Sequence, residues 1–179
     1  MKLMLPEVLK VSRKSIIIHN DAKAPFELFN SFEYQVEAMK FDMSTFSKEH
    51  FNLPCSIRAR NGKYQVFSGW NTLHKSTPIS SEELLVLNFP KKLIKDIEEE
   101  AWRYLVDSFT NTYQRNLVLA YLSLVMENIP RGVKEKILPQ CKSNSAESLV
   151  QFLCREKRGP VRLQNERLKA KEIILPFKL

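Results

Sequence analysis

Glycine is scarce, with four residues in a chain of 179. None belongs to a GxGxxG, GxxxxGK[ST] or GxSxG pattern, so the phosphate cradles of dinucleotide folds and P-loops, and the nucleophile elbow of acyl-transfer enzymes, have no anchor. Cysteine is equally sparse. Cys55, Cys141 and Cys154 are odd in number and widely separated, which excludes a disulfide framework and a CxxC metal or redox motif and fits reduced thiols in a cytosol. His19, His50 and His74 share no ligand-spaced partner, so no metal centre is expected. No apolar run approaches the ~20 residues that span a bilayer, and MKLMLPEVLK lacks an apolar stretch of signal-peptide length before Pro6. A cytoplasmic protein with no membrane segment is expected.

What is present is an ordinary globular composition, 44% apolar and 27% charged. A chain of this size buries about 70% of the surface its unfolded form exposes, enough for a core without staples. The net charge of +8 is uneven. Residues 1–90 carry 11 basic and 9 acidic groups, net +2, whereas residues 131–179 carry 12 and 5, net +7. That asymmetry points to DNA or another polyanion contacted through the C-terminal end; a basic solubilising surface is the plain alternative.

Along the chain, VLKVSRKSIII, Val8 to Ile18, is dense in β-branched residues and reads as one strand. Residues Asn30 to Met43 approximate helical spacing, with Glu33 and Glu37 at i,i+4. Cys55–Ala59 and Tyr64–Phe67 flank Arg60-Asn61-Gly62-Lys63, and Asn-Gly between alternating runs predicts a hairpin. Leu84 to Phe89 reads as a further strand, stopped by Pro90. After it the period changes: Leu93, Ile94, Ile97, Ala101, Trp102, Leu105 and Val106 recur at three and four, Tyr113 to Met126 continues as an apolar helix, and short helices follow at Val133 to Leu138 and Ala146 to Lys157. The fold expected is α+β, with a small mixed α/β module over residues 1–90 and an all-helical region over 91–179.

The segment LPCSIRARNGKYQVFSG, leading into a helix start, resembles the N-terminal domain of the ParB/sulfiredoxin-like superfamily. Pro54, Ile57, Arg58, Tyr64, Val66, Phe67 and Gly69 stand where that family has its Pro-Ile-x-Val-Arg, turn, Tyr-x-hydrophobic-hydrophobic-x-Gly pattern, and Val8 to Ile18 resembles its opening strand. The resemblance spans a little under half of the chain. It implies a phosphate-binding loop after Gly69, where backbone amides and a helix N-terminus would meet an anion. Here Trp70, Asn71 and Thr72 replace the family's Glu-Arg-Arg, leaving His74 and Lys75 as the nearest cations. Gly69, Asn71, Thr72, His74 and Lys75 are therefore the candidate loop for a nucleotide, the one cofactor the resemblance implies, in degenerate form. Trp70 also stands where a sulfiredoxin-like reductase needs cysteine, which rejects that chemistry, and Cys55 reads as a small apolar packing residue.

Outside the loop, Asp96, Glu98, Glu99 and Glu100 read as a solvated face at a helix N-terminus, and Trp102, Tyr104, Phe109 and Tyr113 as packing. The basic tail is more informative. Arg155, Lys157, Arg158, Arg162, Arg167, Lys169 and Lys171 fall within 17 residues holding only Glu156 and Glu166 as acids. These are the candidate nucleic-acid contacts, and a helix-turn-helix over residues 132–157 is consistent with ParB-like proteins that carry a helical DNA-binding domain. With no complete catalytic constellation, the leading reading is a ParB-like DNA-binding or polyanion-binding protein with an altered nucleotide loop rather than an enzyme. Two alternatives stay open. One is a nucleotidase or small-molecule kinase using Gly69, Asn71, Thr72 and His74 around phosphate and Glu33 or Glu37 as base. The other is an interaction protein of a mobile element that forms a homo-oligomer through its C-terminal helices.

Overall fold

The structure, a computed structural model, describes residues 5–38, 53–70, 73, 83–91, 94, 96–112, 122 and 124–138, with backbone alone at 32–38 and 109–112. These fall into two compact units, one drawn from residues 1–31 and 50–105, the other from 32–49 and 106–179.

The first unit is built on a five-stranded mixed sheet. Its strands are β1 (Glu7–Ser12), β2 (Ile16–Ile18), β3 (Cys55–Arg58), β4 (Tyr64–Ser68) and β5 (Glu83–Phe89), in the order β1-β5-β3-β4-β2. β1 pairs antiparallel with β5 and β3 antiparallel with β4, while β3–β5 and β2–β4 are parallel. The single strand expected over Val8 to Ile18 is in fact two, divided by a 3-10 turn at Arg13–Ser15. Each half has a different partner, and the partners lie toward opposite edges. Ser12 and Ile16 are four Cα steps apart, a reach of at most roughly 15 Å. Crossing a flat sheet from β1 to β2 takes four lateral steps of about 4.8 Å, or roughly 19 Å. The sheet therefore has to curl until its two edge strands can be consecutive in sequence. Ser15 Oγ donates to the Ser12 carbonyl at 2.5 Å and closes the turn.

Burial follows the pleat. Val11, Leu84 and Val86 are buried, whereas Val8, Lys10 and Leu85 between them are exposed. In β3 and β4 the alternation fails, since Ser56 and Ile57 are both buried, as are Val66 and Phe67. A register shift between Cys55 and Ser56 accompanies this and re-aims the strand.

Helix α1 (Lys23–Ala38) starts earlier than the expected Asn30. Ala22 and Phe29 are buried at i and i+7, so the apolar stripe begins before Asn30, and Pro25 sits in the first turn, where its missing N–H has no helical partner to lose. The entry is a 3-10 turn (Asn20–Ala22) in which His19 Nδ1 accepts from the Asp21 amide at 3.2 Å. Helix α2 (Ile97–Thr112) buries Ala101, Trp102, Leu105 and Val106, the stripe that the periodicity predicts, but Ile94 lies before its start. Asp96 caps it: Oδ1 accepts from the Glu99 amide at 3.0 Å.

In the second unit Leu122 and residues 124–128 are helical, and α3 (Arg131–Ile137) follows Pro130 close to the expected Val133 to Leu138. Leu122, Val125, Ile129, Val133 and Leu138 are buried at helical spacing. The result is the mixed α+β fold that the sequence implies, with every described element after β5 helical. The expected helix from Tyr113 as far as Tyr121, and that at Ala146 to Lys157, lie outside the described residues.

Ile57 is 2% exposed in β3, the central strand of the sheet. Ile57→Ala is expected to lower unfolding free energy by about 2–5 kcal/mol in urea titration, while Lys10→Ala, which removes an exposed ion pair with Glu83, changes it by less than about 1 kcal/mol.

Candidate functional site

The site begins in the hairpin that the Asn-Gly pair predicts. Ala59 N donates to Lys63 O at 2.8 Å and Gly62 N to Ala59 O at 3.1 Å, while the Asn61 side chain accepts from Lys63 N at 3.2 Å. Gly62 has φ +80°, which a residue with a Cβ adopts only at a cost. The turn residues Arg60, Asn61, Gly62 and Lys63 are all exposed, and Arg58 on β3 stands over the Tyr64 ring at 5.9 Å.

At the other end of β4 lies Gly69, the glycine in which the expected loop was anchored. Its φ is +77°, and an added Cβ would meet Leu53 O at 2.5 Å and the Pro54 Cα at 2.7 Å. Backbone packs on backbone at this point, so glycine is required for reasons internal to the fold. Helical residues follow immediately, but the first of them, Trp70, is fully buried. Phe26 and Tyr104 meet its indole edge-on at 5.6 and 5.1 Å and Phe29 lies tilted at 5.9 Å, all within the first unit. Among the described residues the Trp70 indole N–H has no hydrogen-bond partner. Arg13, from the turn between β1 and β2, donates to Leu73 O at 3.0 Å and ties the same segment to the sheet edge. Thus Gly69 and Trp70 form a packing junction. Asn71, Thr72, His74 and Lys75 lie outside the described residues, as do the side chains of Glu33 and Glu37.

Beside this junction is a cavity of about 490 Å³ lined by Cys55, Phe67, Ser68, Phe89, Ile94, Asp96, Glu99 and Glu100. Phe67 and Phe89 meet edge-on at 6.0 Å in its wall. Its charged groups are carboxylates, so its field disfavours a phosphate. Glu99 is held by Arg103 at 2.6 Å and Asp96 caps α2, which gives both acids structural work. Burial pushes the Cys55 thiol up, and the Glu100 carboxylate adds to that, against a hydrogen bond with Ser68 that lowers it. The small packing role read for Cys55 matches a half-buried, weakly ionised thiol. Among the described residues no three His, Cys, Asp or Glu side chains are placed to hold a metal ion, and no helix is long and apolar enough to cross a membrane.

The seven candidate nucleic-acid contacts, Arg155, Lys157, Arg158, Arg162, Arg167, Lys169 and Lys171, lie outside the described residues, as does the helix-turn-helix from residue 139 onward. Sequence reasoning missed the acidic cavity. Its walls come from β3, β4, β5 and the start of α2, and only the strand order brings Cys55 to Glu100. It also passed over the hairpin turn as a cationic feature, although the signal was there: no Asp or Glu occurs from residue 50 to residue 81.

No family model matches the chain, and no curated protein matches it. A comparison with solved structures returns a Pnob8-like ParB-N domain, at 14% sequence identity and a TM-score of 0.41, covering 99% of this chain and 72% of that one. That is the family the hairpin segment resembles.

Gly62→Ala meets open space and should cost about 1–2 kcal/mol, from the left-handed φ alone. Gly69→Ala adds a backbone clash and should cost about 2–5 kcal/mol; equal melting temperatures for the two variants would contradict the junction. Alkylation by iodoacetamide at pH 7, followed peptide by peptide in a mass spectrometer, should label Cys55 more slowly than a free model thiol. The rate should climb as pH rises and increase in Glu100→Gln.

Proposed function

We propose that the chain is a ParB-like protein that binds duplex DNA through its cationic C-terminal stretch, on an α/β module whose nucleotide loop has been converted to packing. The observation that carries the reading is the charge distribution: net +7 over residues 131–179 against +2 over residues 1–90. Seven of those cations fall between Arg155 and Lys171, and Arg158, Arg162 and Lys169 can share a helical face, which would neutralise several phosphates. The resemblance of Pro54 to Gly69 to the ParB pattern supports it independently, with residues 1–90 as the module, 91–179 as the helical region, and a cytoplasmic location.

The altered loop follows from Trp70. In the family pattern the residues after the glycine are polar and face phosphate, whereas this side chain is enclosed by Phe26, Phe29 and Tyr104. A nucleotide present at 100 times its Kd would add about 2.7 kcal/mol of stability. A thermal-shift panel of nucleotides with magnesium should therefore be silent.

Fluorescence anisotropy with a random duplex tests the DNA claim. Affinity should fall log-linearly with salt, each phosphate contact contributing about 0.9 to the slope. Arg158→Ala with Arg162→Ala should reduce the slope by about 1.8. Absence of binding at micromolar protein, or a slope untouched by that pair, would overturn the reading.

A further inference from the structure

We infer that the turn end of the β3–β4 hairpin is a second polyanion-contacting surface, which grips the phosphodiester backbone of a DNA duplex. It shares its partner class with the proposed function but rests only on residues of the first unit. Between residues 50 and 81 the chain carries Arg58, Arg60, Lys63 and Lys75 and no acid. Three of these four belong to the hairpin, and all three are exposed. Pairing adds another charge to the same end of the sheet: Ile16 is opposite Tyr64, and Tyr64 is opposite Arg58, so the exposed Lys14, two residues before Ile16, is set beside the turn.

Elsewhere among the described residues, Lys10 is paired with Glu83, Arg103 with Glu99 and Arg131 with Glu135, while Lys23 and Lys91 stand singly rather than in a group. Lys14, Arg58, Arg60 and Lys63 have no such ion pair among those residues. Crowding four unpaired cations at one end of a small sheet costs self-repulsion, which a polyanion offsets on binding. The platform is pre-ordered. Three turn hydrogen bonds fix the backbone, and the Tyr64 ring supports the Arg58 guanidinium, so little backbone freedom is lost on contact.

Phosphate chemistry and shape both suit a duplex. Guanidinium groups contact phosphate oxygens in bidentate fashion, and because β3 and β4 are flanked by β5 and β2 it is the turn at Arg60–Lys63, rather than the strands, that meets the phosphate backbone at the groove edge. Single-strand binding would instead call for a row of open aromatic faces, whereas here Tyr64 lies under Arg58 and Phe89, opposite Ile57, packs edge-on against Phe67.

The test uses the full chain, a random duplex of ~30 bp and its single strand, with anisotropy read across a salt series. Arg60→Ala with Lys63→Ala should weaken duplex binding several-fold and lower the salt slope by about 1.8, with an unchanged melting temperature. The charge-preserving pair Arg60→Lys with Lys63→Arg should keep the wild-type slope. Wild-type binding by the alanine pair would overturn the inference, and the proposed function would stand if the Arg158 and Arg162 variants still lost binding. Loss in the hairpin pair alone would uphold the inference and remove the C-terminal assignment. No duplex binding by the wild type, or tighter binding of the single strand, would sink the hairpin claim outright.

Discussion

Gly69 lies so close to the Leu53–Pro54 backbone that no side chain fits between them, and the arrangement of the first unit depends on that approach. It brings the end of β4 against the start of β3, and the chain turns there at φ +77° into a helical segment. Because the turn is tight, the next side chain has to go inward. Trp70 does so, and α1 and α2 close around it with Phe26, Phe29 and Tyr104. A buried indole N–H without a partner disfavours folding by about 1–3 kcal/mol. Three aromatic contacts at 5.1–5.9 Å, together with complete burial of the largest side chain type, outweigh it.

The same geometry explains what was legible in the sequence. The hairpin was legible because Asn61-Gly62 is a local signal: the turn needs left-handed backbone there and bonds only within itself. The α2 stripe was legible for a similar reason, periodicity being a property of one helix. The break at Arg13–Ser15 was not, since nothing in VLKVSRKSIII says that its halves have different partners. Gly69 could be seen as a strand end, but the carbonyl that excludes a side chain, Leu53 O, is supplied by the strand pairing rather than by any neighbouring motif. The early start of α1 was hidden by Pro25, which reads as a breaker and is in fact accommodated in the first turn.

The candidate site was read from the family pattern alone. An anion site after Gly69 follows from the family pattern, and the residues that would form most of it lie outside the described part. What is described around the junction is apolar or acidic. Asp96, Glu99 and Glu100 line the cavity next to Cys55 and Ser68, where burial first, and the Glu100 carboxylate after it, push the Cys55 thiol up. Arg58, Arg60 and Lys63 collect at the other end of the same two strands.

Charge is thus segregated along a hairpin whose strands are four and five residues long, a run of roughly 15 Å. That length exceeds the Debye length of about 8 Å at physiological salt, so the acidic end does little to weaken attraction of a polyanion to the turn. The same screening would limit each proposed cationic surface to the few phosphates beside it. Two such surfaces on one chain reinforce each other when both engage one duplex, because the second contact is then made at high effective concentration. If both proposed surfaces bind, the modest net charge of +8 is divided between two small contacts, neither of which has to be strong alone.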